Sequence, residues 1–526
     1  MRKKAIKELL KQNIKTDKEL MKAKRKLAKK YRIDILHHSE VLVELKKNKK
    51  FFNSKKGQIF YGLLRKRAIR TMSGIAPVAV LTKSYPCPGN CAFCPTEKDV
   101  PQSYLSNEPA VMRAIRCGYD PYTQVQDRLR ALVANGHEPT KIELIVIGGT
   151  WSVLPDKYKY WYIAECFRGA NDFSLSKKLK VKSRKYNVKL KIDLLKKKLL
   201  EEQKRNERAK YKLIGITLET RPDYINEKEV WQMRDLGCTR VEIGVQAIDD
   251  KILKLNKRDH GVDAIVNATK LLKDYGFKVT YHIMPGLPGS TPKKDEKMFG
   301  QLFSDERFQP DQIKFYPTVV TKGSLLYRWW KQGKYKPYSD KSLQNLIIDC
   351  KKIVPSYVRI IRLIRDIPGE SIEAGNKVTN LRQVMKNKGV ECGCIRCREA
   401  REKSIINPQL RITNYKASGG EECFISYESK DKKILYGFCR LRLSHDALNK
   451  SAMIRELHVY GELVSVGGSR KTQHAGLGKM LMEEAEKIAK ENDFEKIAVI
   501  SGIGVRGYYR KLGYRLDNLY MYKKLK

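Results

Sequence analysis

No stretch of this sequence stays apolar over the ~20 residues that a bilayer-spanning helix needs. Its lysine-rich start, MRKKAIKELLKQNIK, also lacks the apolar segment of a secretory signal. A membrane or exported protein is therefore not expected. Cysteine is sparse. Twelve in 526 residues are too few for a disulfide scaffold, and their grouping into CPGNCAFC and CGCIRC points to metal sites in the reducing cytoplasm. Acidic residues are the clearest shortage: 58 Asp and Glu stand against 107 Lys and Arg, a formal net charge of +49. That excess extends well beyond one tail, so it calls for a polyanionic partner, and nucleic acid fits better than a membrane. The length allows two or three cores.

What the sequence does contain is organised around Tyr85-Pro-Cys87-Pro-Gly-Asn-Cys91-Ala-Phe-Cys94-Pro95. Thiolates spaced Cys-x3-Cys-x2-Cys can converge on one centre, and as soft ligands they suit iron–sulfur clusters, zinc or copper(I). Three of them on a four-iron cluster leave one iron open to a small molecule. A zinc knot missing its fourth ligand, or an incidental group of thiols, are the plainer alternatives. Pro88 and Gly89 suit a tight loop, and Phe93 would shield a cluster from water. The motif directly follows Ile75-Ala-Pro-Val-Ala-Val-Leu81, a predicted first strand. This arrangement resembles the radical S-adenosylmethionine (SAM) superfamily. The resemblance implies a 4Fe-4S cluster on Cys87, Cys91 and Cys94, with SAM on the open iron and its one-electron cleavage to a 5′-deoxyadenosyl radical.

Residues 1–70 carry 24 Lys and Arg against 6 Asp and Glu, with apolar residues such as Ile6, Leu9, Leu20 and Leu27 at helical spacing. They read as a basic, phosphate-gripping helical region, with Tyr31 and Phe51-Phe52 available for stacking or packing. From Ile75 strand-like runs alternate with helical ones. The runs at 141–149, 213–219, 239–246, 278–284 and 312–317, with the first strand, make six βα units, the pattern of a partial, open barrel. Ligands collect at strand C-termini in such folds, here Gly148-Gly149-Thr150, Glu219-Thr-Arg221, Gln246 and His282. In the radical SAM resemblance Gly148 and Gly149 hold SAM's amino group and Glu219 belongs to the same site. A turn and a local Glu219–Arg221 ion pair are the structural alternatives. Residues 171–210 interrupt the rhythm and read as a charged surface insertion, helical near Ile192 to Arg205.

Glu391-Cys-Gly-Cys-Ile-Arg-Cys397 adds three thiolates, Cys392, Cys394 and Cys397, whose spacing suits a structural zinc between two domains; free or redox thiols are the alternative. No fourth ligand is evident, with His445, His458, Cys423 or a carboxylate as candidates. From about 410 the order becomes α+β. Gln473-His-Ala-Gly476-Leu-Gly478-Lys479 lies between a strand and the helix Met480 to Glu491, where backbone N–H groups favour phosphate. With the later Tyr508-Tyr-Arg-Lys-Leu-Gly-Tyr514 it resembles the GNAT family of N-acetyltransferases, implying an acyl-CoA site.

The fold class is therefore α/β: a partial (β/α)6 radical SAM barrel followed by an α+β GNAT-type domain, with a basic helical N-terminal extension. The expected division is 1–70 for the basic nucleic-acid-binding extension, 71–385 for the radical SAM domain, 386–409 for the zinc linker and 410–526 for the acetyltransferase domain. The combination, with Asn107-Glu-Pro-Ala-Val-Met-Arg-Ala-Ile-Arg116, Thr220-Arg-Pro-Asp223, Ile454-Arg-Glu-Leu-His-Val-Tyr-Gly461 and Ile497-Ala-Val-Ile-Ser-Gly502, closely resembles the catalytic subunits of Elongator in their single-chain archaeal or bacterial form. That resemblance implies carboxymethylation of uridine 34 in tRNA. A hydrogen is removed from the methyl of acetyl-CoA, the carbon radical adds to C5 of the base, and the thioester is hydrolysed. It also implies acetyl-CoA contacts from Lys141, Glu456, Leu457, His458, Val459, Leu477, Gly478, Lys479 and Tyr509, with Tyr509, Glu456 and His458 as catalytic candidates. An electron donor is required, and accessory subunits or self-association are left open. The rival readings are a protein lysine acetyltransferase with a structural cluster, and a non-catalytic tRNA-binding scaffold.

Overall fold

The computed structural model describes residues 1–65, 74–173, 184–378, 380–401, 405–446, 448–461 and 476–525. Five helices come first: α1 (Arg2–Lys11), α2 (Asp17–Tyr31), α3 (His38–Lys47), α4 (Lys49–Phe52) and α5 (Lys55–Leu64). Their apolar stripes close on one another around Leu9, Leu20, Leu27, Leu42, Leu45 and Phe60, a core separate from the rest of the chain. A capping box starts α2: Glu19 N–H donates to Thr16 Oγ1 at 3.3 Å and Thr16 N–H donates to the Glu19 carboxylate at 3.2 Å. Tyr31, Phe51 and Phe52 pack against this core instead of standing free to stack. The Tyr61 hydroxyl donates to the Gly136 carbonyl at 2.6 Å, tying the module to the barrel.

Seven parallel strands follow in chain order: β1 (Ala76–Leu81), β2 (Lys141–Ile147), β3 (Lys212–Thr220), β4 (Arg240–Gln246), β5 (Lys278–Ile283), β6 (Gln312–Phe315) and β7 (Arg359–Arg362). Six are the predicted ones. The seventh, Arg-Ile-Ile-Arg, is four residues long and too polar to show in a periodicity reading. Side chains alternate across the curled sheet: Ile142, Leu144 and Val146 of β2 are buried in the main core, while Glu143, Ile145 and Ile147 line an interior cavity. Residues 171–210 differ from the expected surface insertion. The helix Ile192–Arg208 lays Leu195, Leu199 and Asn206 inward, and Asn206 accepts from Leu213 N at 2.8 Å, so it forms part of the barrel wall. Residues 174–183 of that stretch lie outside the described residues.

The second sheet runs β13-β14-β12-β11-β10-β9-β8, from β8 (Gln409–Ala417), β9 (Gly420–Glu428), β10 (Leu435–Leu443), β11 (Ala452–Val459), β12 (Lys496–Val499), β13 (Arg515–Asp517) and β14 (Tyr520–Lys524). Only the β11–β12 pair is parallel, and the helix Leu477–Glu491 makes its crossover. Gln473 to Ala475, the start of the predicted glycine loop, lie outside the described residues.

The second sheet closes the N-terminal end of the barrel. The turn Ile503–Val505 rests on the start of β3, the Tyr520 hydroxyl donates to Tyr275 O at 2.9 Å, and Arg234 donates to Leu519 O at 2.6 Å. Between the domains lies a buried charge network. Arg455 is fully buried and donates to Asp311 at 2.5 and 2.9 Å and to Glu422 at 3.0 and 3.1 Å. Arg442 reaches Asp274 at 2.6 Å, Lys273 lies 3.4 Å from Glu422, and Arg440 donates to Glu456 at 3.0 Å. Burial alone would raise Asp311, but Arg455, Lys273 and Arg440 hold it well below the usual carboxylate range.

Candidate active site

A cavity of about 720 Å³ runs through the barrel from the strand C-termini to the second sheet. At one end the loop after β1 brings Cys87, Cys91 and Cys94 to its wall. Arg258 donates to Cys91 Sγ at 3.2 Å. A hydrogen bond with Cys94, and then Arg258, draw the Cys91 thiol down to about 6 despite its burial. Among the described residues only Cys392, Cys394 and Cys397 bring three ligand atoms within 4.8 Å of one another. Cys87, Cys91 and Cys94 do not form such a close triple, although Cys91 and Cys94 are hydrogen-bonded to each other; all three line the cavity, where three soft thiolates fit a cluster.

The remaining strand ends complete this mouth. Gly148 and Gly149 have φ of 139° and 91°, and a Cβ at Gly148 would fall 2.1 Å from Thr82 Oγ1, so only glycine fits there. Gly149 lines the cavity. Glu219 accepts from the Tyr104 hydroxyl at 2.8 Å and lies 3.6 Å from His282 Nδ1. It does not pair with Arg221, which binds Asp223 at 2.7 Å and Asp259 at 3.0 Å. His282 Nε2 lies 3.1 Å from Glu242, and Lys314 also bonds Glu242. Burial would raise Glu242, but Lys314 and His282 keep it strongly ionised. Gln246 closes β4 with a φ of 68°, unusual for a residue other than glycine and found at ligand-facing strand ends.

At the far end, β11 divides its residues between two sides. Glu456 and His458 line the cavity. Burial would raise Glu456, but Lys278 and Arg440 pull it to about 2. The His458 ring lies 4.3 Å from that of Tyr460 and stacks on Phe438. Leu457 and Val459 alternate to the opposite side, where Val459 approaches Gly478 at the start of the helix Leu477–Glu491. Leu477, Gly478, Lys479 and Tyr509 are therefore across β11 from the cavity. Tyr509 is buried between Tyr508 and Tyr514, with ring centroids at 5.3 and 6.0 Å, and it is Tyr508 whose hydroxyl covers Gly478. Lys141 opens β2 beside Lys212, on the side where the second domain docks, and burial lowers its ammonium from its usual value.

Cys392, Cys394 and Cys397 gather at the joint, with Lys351 3.8 Å from Cys397 Sγ. The fourth-ligand candidates lie elsewhere: Cys423 is buried in β9, His445 stacks on Phe494, and His458 is in the cavity. Sequence reasoning passed over Arg258, Glu242, Lys314 and Tyr104. Two of these carried a signal, since Glu242 and Lys314 are charges inside strands otherwise fit for burial.

A curled parallel sheet with a cysteine loop after its first strand, joined to a sheet with one parallel pair around a crossover helix, defines a radical SAM domain fused to an acetyltransferase domain. Comparison with known families agrees: residues 82–302 match the radical SAM superfamily, 310–389 the radical SAM C-terminal domain and 395–514 the acetyltransferase (GNAT) family. The chain is 43% identical over 480 residues to the tRNA uridine(34) acetyltransferase of Dehalococcoides mccartyi, covering 88% of this chain and all of the relative. It is 40% identical over 493 residues to human Elongator complex protein 3, covering 88% of this chain and 86% of the relative. The solved structure of the Methanocaldococcus infernus protein Elp3, lacking its N-terminus, superposes with a TM-score of 0.72 at 40% identity, covering 86% of this chain and all of that one. The chain belongs to the family of Elongator complex protein 3 and tRNA uridine(34) acetyltransferase.

Proposed function

We propose that the protein modifies uridine 34 of tRNA, using acetyl-CoA and SAM to form 5-carboxymethyluridine. The observation that carries this reading is the single cavity lined both by Cys87, Cys91 and Cys94 and by Glu456 and His458 of the acetyltransferase sheet. A lysine acetyltransferase with a structural cluster would have no use for such a connection.

In this reading Cys87, Cys91 and Cys94 hold a 4Fe-4S cluster, and Gly148, Gly149 and Glu219 hold SAM. Bound there, cluster and SAM supply a hydrogen-abstracting 5′-deoxyadenosyl radical, at the expense of one electron from an external donor. Acetyl-CoA lies along the far side of β11, against Leu457, Val459, Leu477, Gly478 and Lys479, with Lys141 approaching from the barrel. Glu456 and His458 meet its acetyl end in the cavity. Glu456 is kept ionised by Lys278 and Arg440, so it orients a neighbouring donor or water and does not act as an acid. Tyr509 supports this wall through Tyr508, which touches the glycine position directly. The cavity wall has eleven basic against seven acidic side chains, a balance that suits the phosphates of an incoming nucleotide. Residues 1–70 add a second basic surface for the tRNA. Cys392, Cys394 and Cys397 hold a structural zinc at the joint.

The test is anaerobic reconstitution with iron and sulfide, then incubation with tRNA, SAM, acetyl-CoA and a reductant, followed by nucleoside mass spectrometry. The expected product is 5-carboxymethyluridine with release of CoA. An acetylated lysine and unmodified tRNA would establish the rival reading.

A further inference from the structure

Arg258 stands outside the cysteine motif, in the turn after the helix Asp250–Leu255, yet it reaches Cys91 Sγ and lines the same cavity. Its guanidinium is fixed on three sides. Nη1 donates to the sulfur at 3.2 Å, Nη2 to Gly244 O at 2.5 Å, and Nε to His260 Nε2 at 3.1 Å. These partners are a sulfur, a carbonyl and an imidazole, none of them a carboxylate. Burial and the guanidinium lower His260 to about 4, so the ring accepts as a neutral group and leaves the positive charge on Arg258.

Arg221 is the contrasting neighbour. It is 5% exposed and its charge is matched by Asp223 and Asp259. Its Nη1 has no hydrogen-bond partner and lies 1.8 Å from where a Cβ at Gly89 would be, so it presses on the loop between Cys87 and Cys91. Arg221 packs the loop, whereas Arg258 brings an unmatched charge to one of its sulfurs.

We propose that Arg258 is a tuning residue for the cluster, its N–H donation and positive charge at Cys91 Sγ making the cluster easier to reduce. The inference rests on the reading that Cys87, Cys91 and Cys94 ligate the cluster. A cluster that gains an electron places more negative charge on its sulfurs, and a cation with a hydrogen bond there stabilises the reduced form. The site is buried, so the charge is weakly screened and the effect is larger than at a surface. Fixation on three sides prevents the guanidinium from relaxing away from the sulfur between the two oxidation states.

The experiment is an EPR-monitored redox titration of the reconstituted full-length protein, with iron and sulfide determined on each sample. The variants are Arg258→Gln and Arg258→Met, which remove the charge, and Arg258→Lys, which keeps it. In the two neutral variants the ratio of reduced to oxidised cluster at a fixed potential is expected to fall about tenfold, a midpoint about 59 mV more negative. Arg258→Lys is expected to stay nearer the wild type. Equal midpoints in loaded wild type and neutral variants overturn the proposal. If both neutral variants fail to load while Arg258→Lys loads, the charge serves cluster assembly and not its potential, and the proposal is overturned. Failure of all three shows a purely structural role and overturns it. A wild-type protein that takes up no cluster refutes the ligand reading itself, a separate outcome.

Discussion

Replacing Asp311 with Asn tests whether the joint between the domains is held by balanced charge. Four buried cations, Lys273, Arg440, Arg442 and Arg455, face four carboxylates, Asp274, Asp311, Glu422 and Glu456. Asp311 accepts from both terminal nitrogens of Arg455, and also from Val279 N at 2.8 Å. An amide keeps the shape but removes one charge, and whichever way it turns it presents N–H groups to a donor. Removing one partner of a buried pair costs about 3–5 kcal/mol, and the full burial of Asp311 allows no solvent to soften that loss. Urea unfolding followed by tryptophan fluorescence is expected to show a loss of this order at pH 7. Because the folded Asp311 titrates below its unfolded value, its contribution is complete above about pH 4 and disappears as pH falls through the folded value. The gap between wild type and Asp311→Asn is therefore constant from pH 8 to 5 and narrows in acid. Adding Arg455→Met to Asp311→Asn should recover part of the loss, since it removes the stranded cation. A loss under about 1 kcal/mol, or a gap that widens on acidification, would refute the reasoning.

Three further outcomes are expected. Cys91→Ala should abolish the brown chromophore and iron uptake on anaerobic reconstitution, with circular dichroism unchanged; full iron content would contradict the ligand assignment. Cys394→Ser should release zinc, measured by metal analysis of protein purified without chelator, and lower thermal stability, because the three thiols gather at the domain joint. Deleting residues 1–65 should weaken tRNA binding and flatten its dependence on salt without unfolding the barrel, since the helical module has a core of its own; an unchanged salt slope would assign its lysines to another task.

The parts of the fold written in long periodic runs were legible from the sequence. Strands β1 to β5 and the helix after the glycine loop are of this kind; β6 is shorter but apolar enough to show, and the cysteine loop shows by its spacing. What was not legible depended on distant residues meeting. β7 is a four-residue strand recognisable only by the edge it completes. β13 and β14 are short and partly exposed, and gain their identity by pairing, β14 with β12 and β13 with β14. The helix Ile192–Arg208 looked like a charged insertion because its apolar stripe is narrow, and its contact with the barrel wall comes through Asn206 as much as through leucines. In the site, the cysteines, glycines and Glu219 announce themselves by spacing and position. Arg258, Tyr104 and the eight-charge network do not, because an arginine or tyrosine looks alike in sequence whether it is on a surface or against a sulfur. Tyr509 is flagged by its motif, and the structure adds what the motif does not: its neighbour Tyr508 is the one that touches the Gly478 position.

The two-sidedness of β11 constrains how this sequence can change over time. Glu456 and His458 face one chamber, and Leu457 and Val459 the other, purely because strand residues alternate. A point substitution alters one chamber. Inserting or deleting a single residue ahead of Glu456 would exchange the two sets, putting leucine and valine into the polar cavity and a glutamate and a histidine against the crossover helix. The register already shifts just ahead of Glu456: Arg440 pairs with Glu456 and the next residue, Leu441, with Ile454, so Arg455 is the extra residue on β11. Length is thus under tighter constraint than composition along this strand, and homologous chains should differ here by replacements and almost never by gaps.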